Sequence, residues 1–347
     1  MSKLTLYDLY DRHTGKISDK WSLYLAEYDR LFAPMAEKQV RLLEIGIQNG
    51  GSLEIWSQYF RNAIAIIGCD INPDCEGLSY EDPKIHVVVG DASATATQEK
   101  VLKLAAQYDI IIDDGSHLSS DIAKSFALYF PHIVDGGIFI AEDLHCSYWE
   151  RFEGGLYSPY SSIAFFKCLA DVINHEHWGV SKPRGEVLRS IFSEYDFEIS
   201  EEVLSCVHSI EFINSMCVVR KAPANENGLD RRVIAGTEDS IIPSNPEWND
   251  LSYHLDPIFD ETKNVWSDSP SSLPKKLTEL VELLRHKDNA LIDTKDRAAR
   301  LEQQNDQLRR ELEALHDSIS WRVTAILRFA VRLGRQMLNL VKGGAGA

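Results

Sequence analysis

No run of apolar residues in this 347-residue chain approaches the roughly 18 needed to span a bilayer. The opening residues, MSKLTLYDLYDRHTGK, lack the apolar core of a secretory signal, so secretion is not expected. Positive charge is scarce: 36 Lys and Arg stand against 53 Asp and Glu, a formal net charge of −17. That balance argues against a main body that binds nucleic acid through a basic field. Cys69, Cys75, Cys146, Cys168, Cys206 and Cys217 form no C-x-x-C pair, and several sit inside apolar, strand-like runs. Zinc is therefore not expected, and reduced thiols in a cytoplasmic protein are the default. What remains is 44% hydrophobic and 26% charged, the make-up of an ordinary soluble globular protein.

Within it, Tyr108 to Trp149 organises the rest. Two apolar runs, Ile110-Ile111-Ile112 and Ile138-Phe139-Ile140, each lead into a pair of acids. The first pair is Asp113-Asp114, followed by Gly115-Ser116-His117; the second is Glu142-Asp143, followed by Leu144-His145. Short β-branched runs bounded by Gly read as strands buried on both faces. Asp121 to Phe130 carries apolar residues at helical spacing, which gives strand–helix–strand. Both acidic clusters then lie at carboxyl ends of adjacent strands, on the rim where open α/β sheets bind ligands. Hard oxygen donors gathered there suit Mg²⁺ or a similar ion. The alternative is that the acids cap the following helices and loops.

Upstream, residues 1–36 read as helical, with Trp21, Tyr24, Leu25, Tyr28 and Leu31 at helical spacing, either packed on the sheet or serving as a lid over a cofactor. A strand from Val40 is followed by Gly46 and by Gly50-Gly51-Ser52, glycines that let a backbone approach a ligand. The spacing E-x-G-x-x-x-G-G-S differs from the G-x-G-x-x-G of dinucleotide proteins. A second strand, Ala63 to Cys69, ends at Asp70, placed to accept two ribose hydroxyls. A third, Ile85 to Val89, ends in Gly90-Asp91, within reach of an adenine amino group. Together these describe a nucleoside-binding sheet.

Downstream, Arg151 to Pro159 reads as a loop over the strand ends and Ser162 to His177 as a helix. Val203 to Asn214 and Ser215 to Arg220 read as a hairpin that closes the sheet with an antiparallel strand. The expected domains are a helical lid (1–36), a globular domain (37–221), a poorly ordered linker with local packing around Trp248, Tyr253 and Trp266 (222–274), a coiled coil (275–317) and a basic amphipathic helix (318–347). With Leu277 as position a, Leu284, Leu291, Ala298, Asn305 and Leu312 follow at a, and Leu280, Leu301, Leu308 and Leu315 fall at d; Lys287 and Thr294 are imperfect d residues. The last segment carries Arg322, Arg328, Arg332, Arg335 and Lys342 with no acid, which suits an anionic membrane surface or a partner's groove.

The order EIGIQNGGS, CDINP, VVVGDAS, DIIIDDGSH, FIAEDLHCSYW resembles the class I S-adenosylmethionine-dependent methyltransferases. More narrowly it resembles the metal-dependent sugar O-methyltransferases of macrolide pathways and their polysaccharide-associated relatives, grouped with the so-called cephalosporin hydroxylase family. The resemblance spans roughly Trp21 to Lys221, and SISWRVTAILR resembles tails on bacterial cell-surface polysaccharide enzymes, with Ile326 where those often have Pro. It implies an α/β, Rossmann-like methyltransferase fold: a mostly parallel, doubly wound sheet with a C-terminal antiparallel hairpin, followed here by the helical extension. It assigns Glu44, Gly46, Ser52, Asp70, Asp91 and Asp113 to the cofactor S-adenosylmethionine, and Asp114, Glu142 and Asp143 to Mg²⁺ or Mn²⁺. It makes His117 the catalytic base; His145, Tyr148 and Trp149, which follow the second acidic pair, are candidates for substrate contact. Arg184 and Lys167 are further candidates for substrate contact.

The expected activity is methylation of a sugar hydroxyl on a glycan or glycolipid-linked acceptor in cell-surface, O-antigen-like polysaccharide synthesis. The enzyme is expected in the cytoplasm, peripheral at the inner face of the membrane. The coiled coil is expected to form a homo-oligomer or recruit a glycosyltransferase. Two other readings stand beside this one: a methyltransferase of a natural-product sugar or diol, and a non-catalytic scaffold in a glycan-assembly complex.

Overall fold

Five short runs rich in Ile, Val and Leu form parallel strands: β1 (Arg41–Ile45), β2 (Ala65–Asp70), β3 (Ile85–Val89), β4 (Tyr108–Asp113) and β5 (Ile133–Ala141). Alternation sends Leu42, Ile66, Ile110 and Ile138 to one face and Leu43, Ile67, Ile111 and Phe139 to the other, so both faces need cover. On the first face it comes from α1 (Leu6–Arg12), α2 (Ser22–Phe32) and α3 (Gly51–Tyr59), which bury Leu6, Tyr24, Tyr28, Phe32 and Trp56. On the second it comes from α4 (Thr95–Leu104), α5 (Ser119–Tyr129) and α6 (Ser162–Ile173), through Val101, Phe126, Phe165 and Phe166. The computed structural model describes residues 4–242, 260–267, 275–317 and 324–343.

Two short helices, α7 (Arg189–Tyr195) and α8 (Glu201–Ser205), precede the antiparallel pair β6 (Val207–Ile213) and β7 (Met216–Lys221). The strand order is β3-β2-β1-β4-β5-β7-β6. Successive strands run outward in opposite directions from the β1/β4 boundary, and the loops that part there open a crevice at the carboxyl ends. Register holds those ends level: Ile45 lies opposite Cys69 and Asp113, and Asp113 opposite Ala141.

Three expectations change. Val203 to Ser205 is helical rather than extended, because the Ser200 hydroxyl caps the turn by accepting from the Val203 amide at 3.3 Å. The helix begun at Ser162 ends at Ile173, and a short turn over His175–His177 follows. The stretch after Lys221 is tied down at points: Asn227 bonds His208 and the Ser205 carbonyl, Leu229 donates to Glu176, and Lys182 donates to the Ser267 carbonyl. Trp266 does not pack as expected and is 89% exposed, whereas Trp248 and Tyr253 lie outside the described residues.

The chain divides into two units, the first ending at Ser269 and the second beginning at Pro270. Taken by itself, the second contains α9 (Lys275–Asp317) and α10 (Ala325–Gly343). The heptad leucines Leu284, Leu291, Leu301, Leu308 and Leu312 are exposed along α9. Residues 318–323, which include Arg322, lie outside the described residues. Among the described residues, no helix is long and apolar enough to cross a membrane.

Candidate active site

A cavity of about 230 Å³ opens over the carboxyl ends of β1, β2, β3 and β4. Gly46 sits at its floor with φ +83°, and a Cβ there would come within 2.1 Å of the Asp114 carbonyl oxygen, so only glycine fits. Asp70 fastens one wall: its Oδ2 accepts from the Ile47 and Gln48 amides, both at 2.9 Å, and its Oδ1 from Asn72 at 2.9 Å. Asp91 orders the loop after β3 by accepting from the Ser93 amide and hydroxyl. Asp113 lies deeper, bonded by the Ser125 hydroxyl and the Gly115 amide; burial pushes its carboxyl up to about 6, although the Ser125 bond opposes the rise. Gly46, Asp70, Asp91 and Asp113 all line this cavity.

Glu44 and Ser52 do not. One residue before Ile45 on the strand, Glu44 points to the opposite face, under α3, and accepts from Ser52 at 2.6 Å and Trp56 at 3.0 Å. It is fully buried, and burial raises its pKa. Direct contact of these two side chains with a ligand in the cavity is therefore replaced by a place beneath it.

Beside the cavity, Asp114 and Glu142-Asp143 meet at the ends of β4 and β5, and side chains from the N-terminal segment meet them. The Lys20 ammonium, 3% exposed, reaches Asp114 at 2.5 Å, Glu142 at 2.7 Å and Glu44 at 3.3 Å. Tyr28 donates to Glu142, while Tyr24 and Trp21 donate to Asp143 at 2.9 and 3.2 Å. Burial drives the Glu142 and Asp114 carboxyls upward, against the pull of Lys20. Burial opposes the charge on Lys20, yet Glu142, Asp114 and Glu44 together hold its pKa well above the usual lysine range. The expected lid thus covers the acids, not the nucleoside cavity, whose lining includes none of these four residues.

His117 and Asp143 both adopt left-handed backbone conformations, φ +59° and +53°, which non-glycine residues rarely take and which recur at functional sites. The turns bring Asp114, His117 and Asp143 together so that one donor atom from each lies within 4.8 Å of the others. His117 Nε2 is 3.7 Å from Asp143, and its Nδ1 is buried without a hydrogen-bond partner. Glu142 stands outside this trio, turned into the grip of Lys20 and Tyr28.

Next to Asp143, His145 Nδ1 lies 2.5 Å from the Ser215 hydroxyl and 3.8 Å from Asp143. A recess of about 390 Å³ starts here, lined by His145, Tyr148, Lys167, Phe212 and Ser215 among others. Trp149 is half-exposed and meets the His145 ring edge-on at 5.1 Å. Arg184 takes no part, being engaged with Glu201 at 2.6 Å.

The sequence singled out neither Lys20 nor Ser215, and Tyr28 only as one of the helically spaced residues of the N-terminal segment. The signal available for Lys20 was a charge count: four acids on one rim need a cation, and neither D-D-G-S-H nor E-D-L-H contains a lysine or an arginine.

No family model matches the chain. It is 35% identical over 171 residues to 8-demethyl-8-alpha-L-rhamnosyl tetracenomycin-C 2'-O-methyltransferase of Streptomyces olivaceus, covering 46% of this chain and 44% of that protein. It is 32% identical over 182 residues to demethylmacrocin O-methyltransferase of Streptomyces fradiae, covering 49% and 45%. The chain thus spans less than half the length of these curated relatives. Among solved structures, the MycE methyltransferase of the mycinamycin biosynthetic pathway, in complex with Mg and SAH, superposes with a TM-score of 0.54. Identity to it is 26%, over 68% of this chain and 58% of that one. The seven-stranded mixed sheet is a Rossmann-like methyltransferase fold.

Proposed function

We propose that this chain is an S-adenosylmethionine- and divalent-metal-dependent O-methyltransferase that acts on a sugar hydroxyl. One observation carries the reading: a nucleoside-sized cavity and a cluster of two carboxylates and an imidazole adjoin at Asp114, which belongs to both. The cluster fits a hard divalent ion, and the orphaned His117 Nδ1 supports a ligand or substrate atom there. The cavity fits the cofactor's nucleoside, with Asp70 and Asp91 offering carboxylates and Gly46 allowing close approach.

Asp114 and Asp143 would hold the ion, which supplies Lewis acidity towards a sugar hydroxyl, as it does for bound water, whose pKa falls from about 15.7 to about 7. The cofactor supplies an electrophilic methyl group, so the protein has to orient the partners in line and take one proton. His117, whose Nε2 lies 3.7 Å from Asp143, would accept that proton. Trp21 and Tyr24 fix the Asp143 carboxylate, and Lys20 and Tyr28 of the same segment enclose Glu142.

The relatives' names favour a sugar carried on a natural product over the O-antigen-like setting expected from sequence. A membrane-borne glycolipid acceptor keeps one supporting observation. On α10, Arg328, Arg332 and Arg335 recur at helical spacing, and Leu327, Phe329, Val331 and Leu333 are exposed. The exposed heptad leucines of α9 likewise support self-association or recruitment of a partner enzyme.

The test is calorimetric titration of S-adenosylmethionine, followed by incubation with Mg²⁺ and rhamnosides on apolar or lipid carriers and mass analysis for an added methyl group. Methylation that stops with a chelator is the expected result. Failure to bind the cofactor under any condition overturns the reading and brings forward the non-catalytic scaffold.

A further inference from the structure

Three elements meet around the recess that begins at His145: the turn after β5, the first turns of α6 and the tip of the β6–β7 hairpin. Ile163 and Lys167 stand one helical turn apart on α6, so both face it. The other walls bring Leu144, Ile213 and Met216, and two large side chains that stay in contact with solvent, Tyr148 at 42% and Phe212 at 44% exposure. A concave apolar surface left open on a folded chain, with a few polar groups converging on it, is the make-up of a small-molecule site. Charge sets this one apart. Acids line the cavity over β1 to β4 and the recesses beside His13 and Arg30 alike. None lines the recess at His145, although the chain has a formal net charge of −17, and Lys167 supplies its one fixed charge. The recess is also continuous with the trio: Leu144 in its wall follows Asp143 in the chain, and His145 Nδ1 lies 3.8 Å from the Asp143 carboxylate.

We propose that this recess seats the carrier of the acceptor sugar, a compact apolar ring system that is neutral or bears an acidic group, and that Lys167 reads that group. The inference deepens the function proposed above and rests on it for the sugar. A sugar held at Asp143 passes His145 and turns its glycosidic oxygen to the mouth of the recess. Its walls then take the apolar area of the carrier out of water, which supplies the affinity. A volume of about 390 Å³ is the size that encloses a drug-sized molecule rather than a long chain. A carrier with an amine is rejected, because it brings a second positive charge to Lys167 and meets no acid in the lining. Lys167 and Phe212 thus select the carrier, while the trio acts on the hydroxyl.

The experiment is calorimetric titration of the full chain, with Mg²⁺ and S-adenosylhomocysteine so that no methyl group moves, by three naphthyl rhamnosides: one plain, one with a carboxylate and one with an aminomethyl group on the naphthalene. The carboxylate probe is expected to bind about tenfold or more tightly than the aminomethyl one. Lys167→Met brings the carboxylate probe to the level of the plain one, and Phe212→Ala weakens all three about tenfold. Equal binding of the three by wild type and Lys167→Met, unchanged binding by Phe212→Ala, or no measurable binding of any probe overturns the proposal. A decyl rhamnoside that binds more tightly than the plain naphthyl one overturns the ring assignment in favour of a lipid chain. A chain that shows the expected pattern but binds no S-adenosylmethionine keeps the recess and loses the methyltransferase reading. One that methylates a rhamnoside yet binds all carriers alike loses the recess alone.

Discussion

The cavity over β1 to β4 and the acid cluster beside it share a rim but are assembled by different means. The cavity is made of loops that directly follow the strands, and its acids are held by amides nearby, as Asp70 is by Ile47 and Gln48 and Asp91 by Ser93. The cluster depends on partners far off in sequence: Lys20 lies 94 positions from Asp114 and 122 from Glu142, and Tyr24 lies 119 from Asp143. Backbone amides and nearby serine hydroxyls compensate one set of carboxylates; a buried ammonium, two phenols and the Trp21 indole compensate the other. A site of the first kind tolerates loss of a side chain, whereas the second is a charge balance that one substitution upsets.

Asp143→Asn separates the two most sharply. It keeps the shape of the trio and removes one carboxylate, so methyl transfer should fall about a hundred- to a thousandfold while cofactor affinity stays put. A parallel loss of cofactor binding would show the two regions to be one. Asp91→Ala is the converse: affinity for S-adenosylmethionine in calorimetry should weaken about tenfold or more, for one lost charged hydrogen bond, with Mn²⁺ binding unchanged. Altered Mn²⁺ stoichiometry in that variant would refute the division. Tyr28→Phe leaves buried Glu142 one donor short and should lower stability by about 1–3 kcal/mol, a loss that thermal melting can measure; an unchanged midpoint would mean that Lys20 alone suffices.

His132 belongs to neither region and supplies the smallest effect. Burial holds its pKa below the usual imidazole value, so the folded chain binds fewer protons than the unfolded one. Stability should therefore decline as pH falls below about 6.5, and His132→Gln should flatten that decline slightly. A denaturation series across this window that shows identical slopes would remove His132 from the account.

The sequence made the sheet legible because its strands are apolar runs bounded by glycine and acid, and the acids at their ends, Asp70, Asp91, Asp113 and Asp114, line one cavity. The resemblance gives Glu44 to the cofactor without saying which way it faces, because a motif records spacing along the chain, whereas pleat alternation turns its side chain to Ser52 and Trp56. Lys20 and Tyr28 were hidden for a different reason. Helical spacing identifies residues that face a core, and Tyr28 does face one; nothing in that periodicity shows that its hydroxyl ends on Glu142.

The order of synthesis adds a constraint that follows from the hairpin. β7, made last, lies between β5 and β6, and β6 has no other neighbour in the sheet. Ser215, at the hairpin's tip, accepts from the Leu144 amide at 2.9 Å and from Tyr24 at 3.0 Å, so it braces the turn that presents Asp143. A nascent chain that has emerged only as far as β6 already carries every acid of the site, yet β5 still has an open edge and Asp143 lacks its brace. The edge of β5 and the brace on the Asp143 turn are therefore completed only once β7, ending at Lys221, has been made.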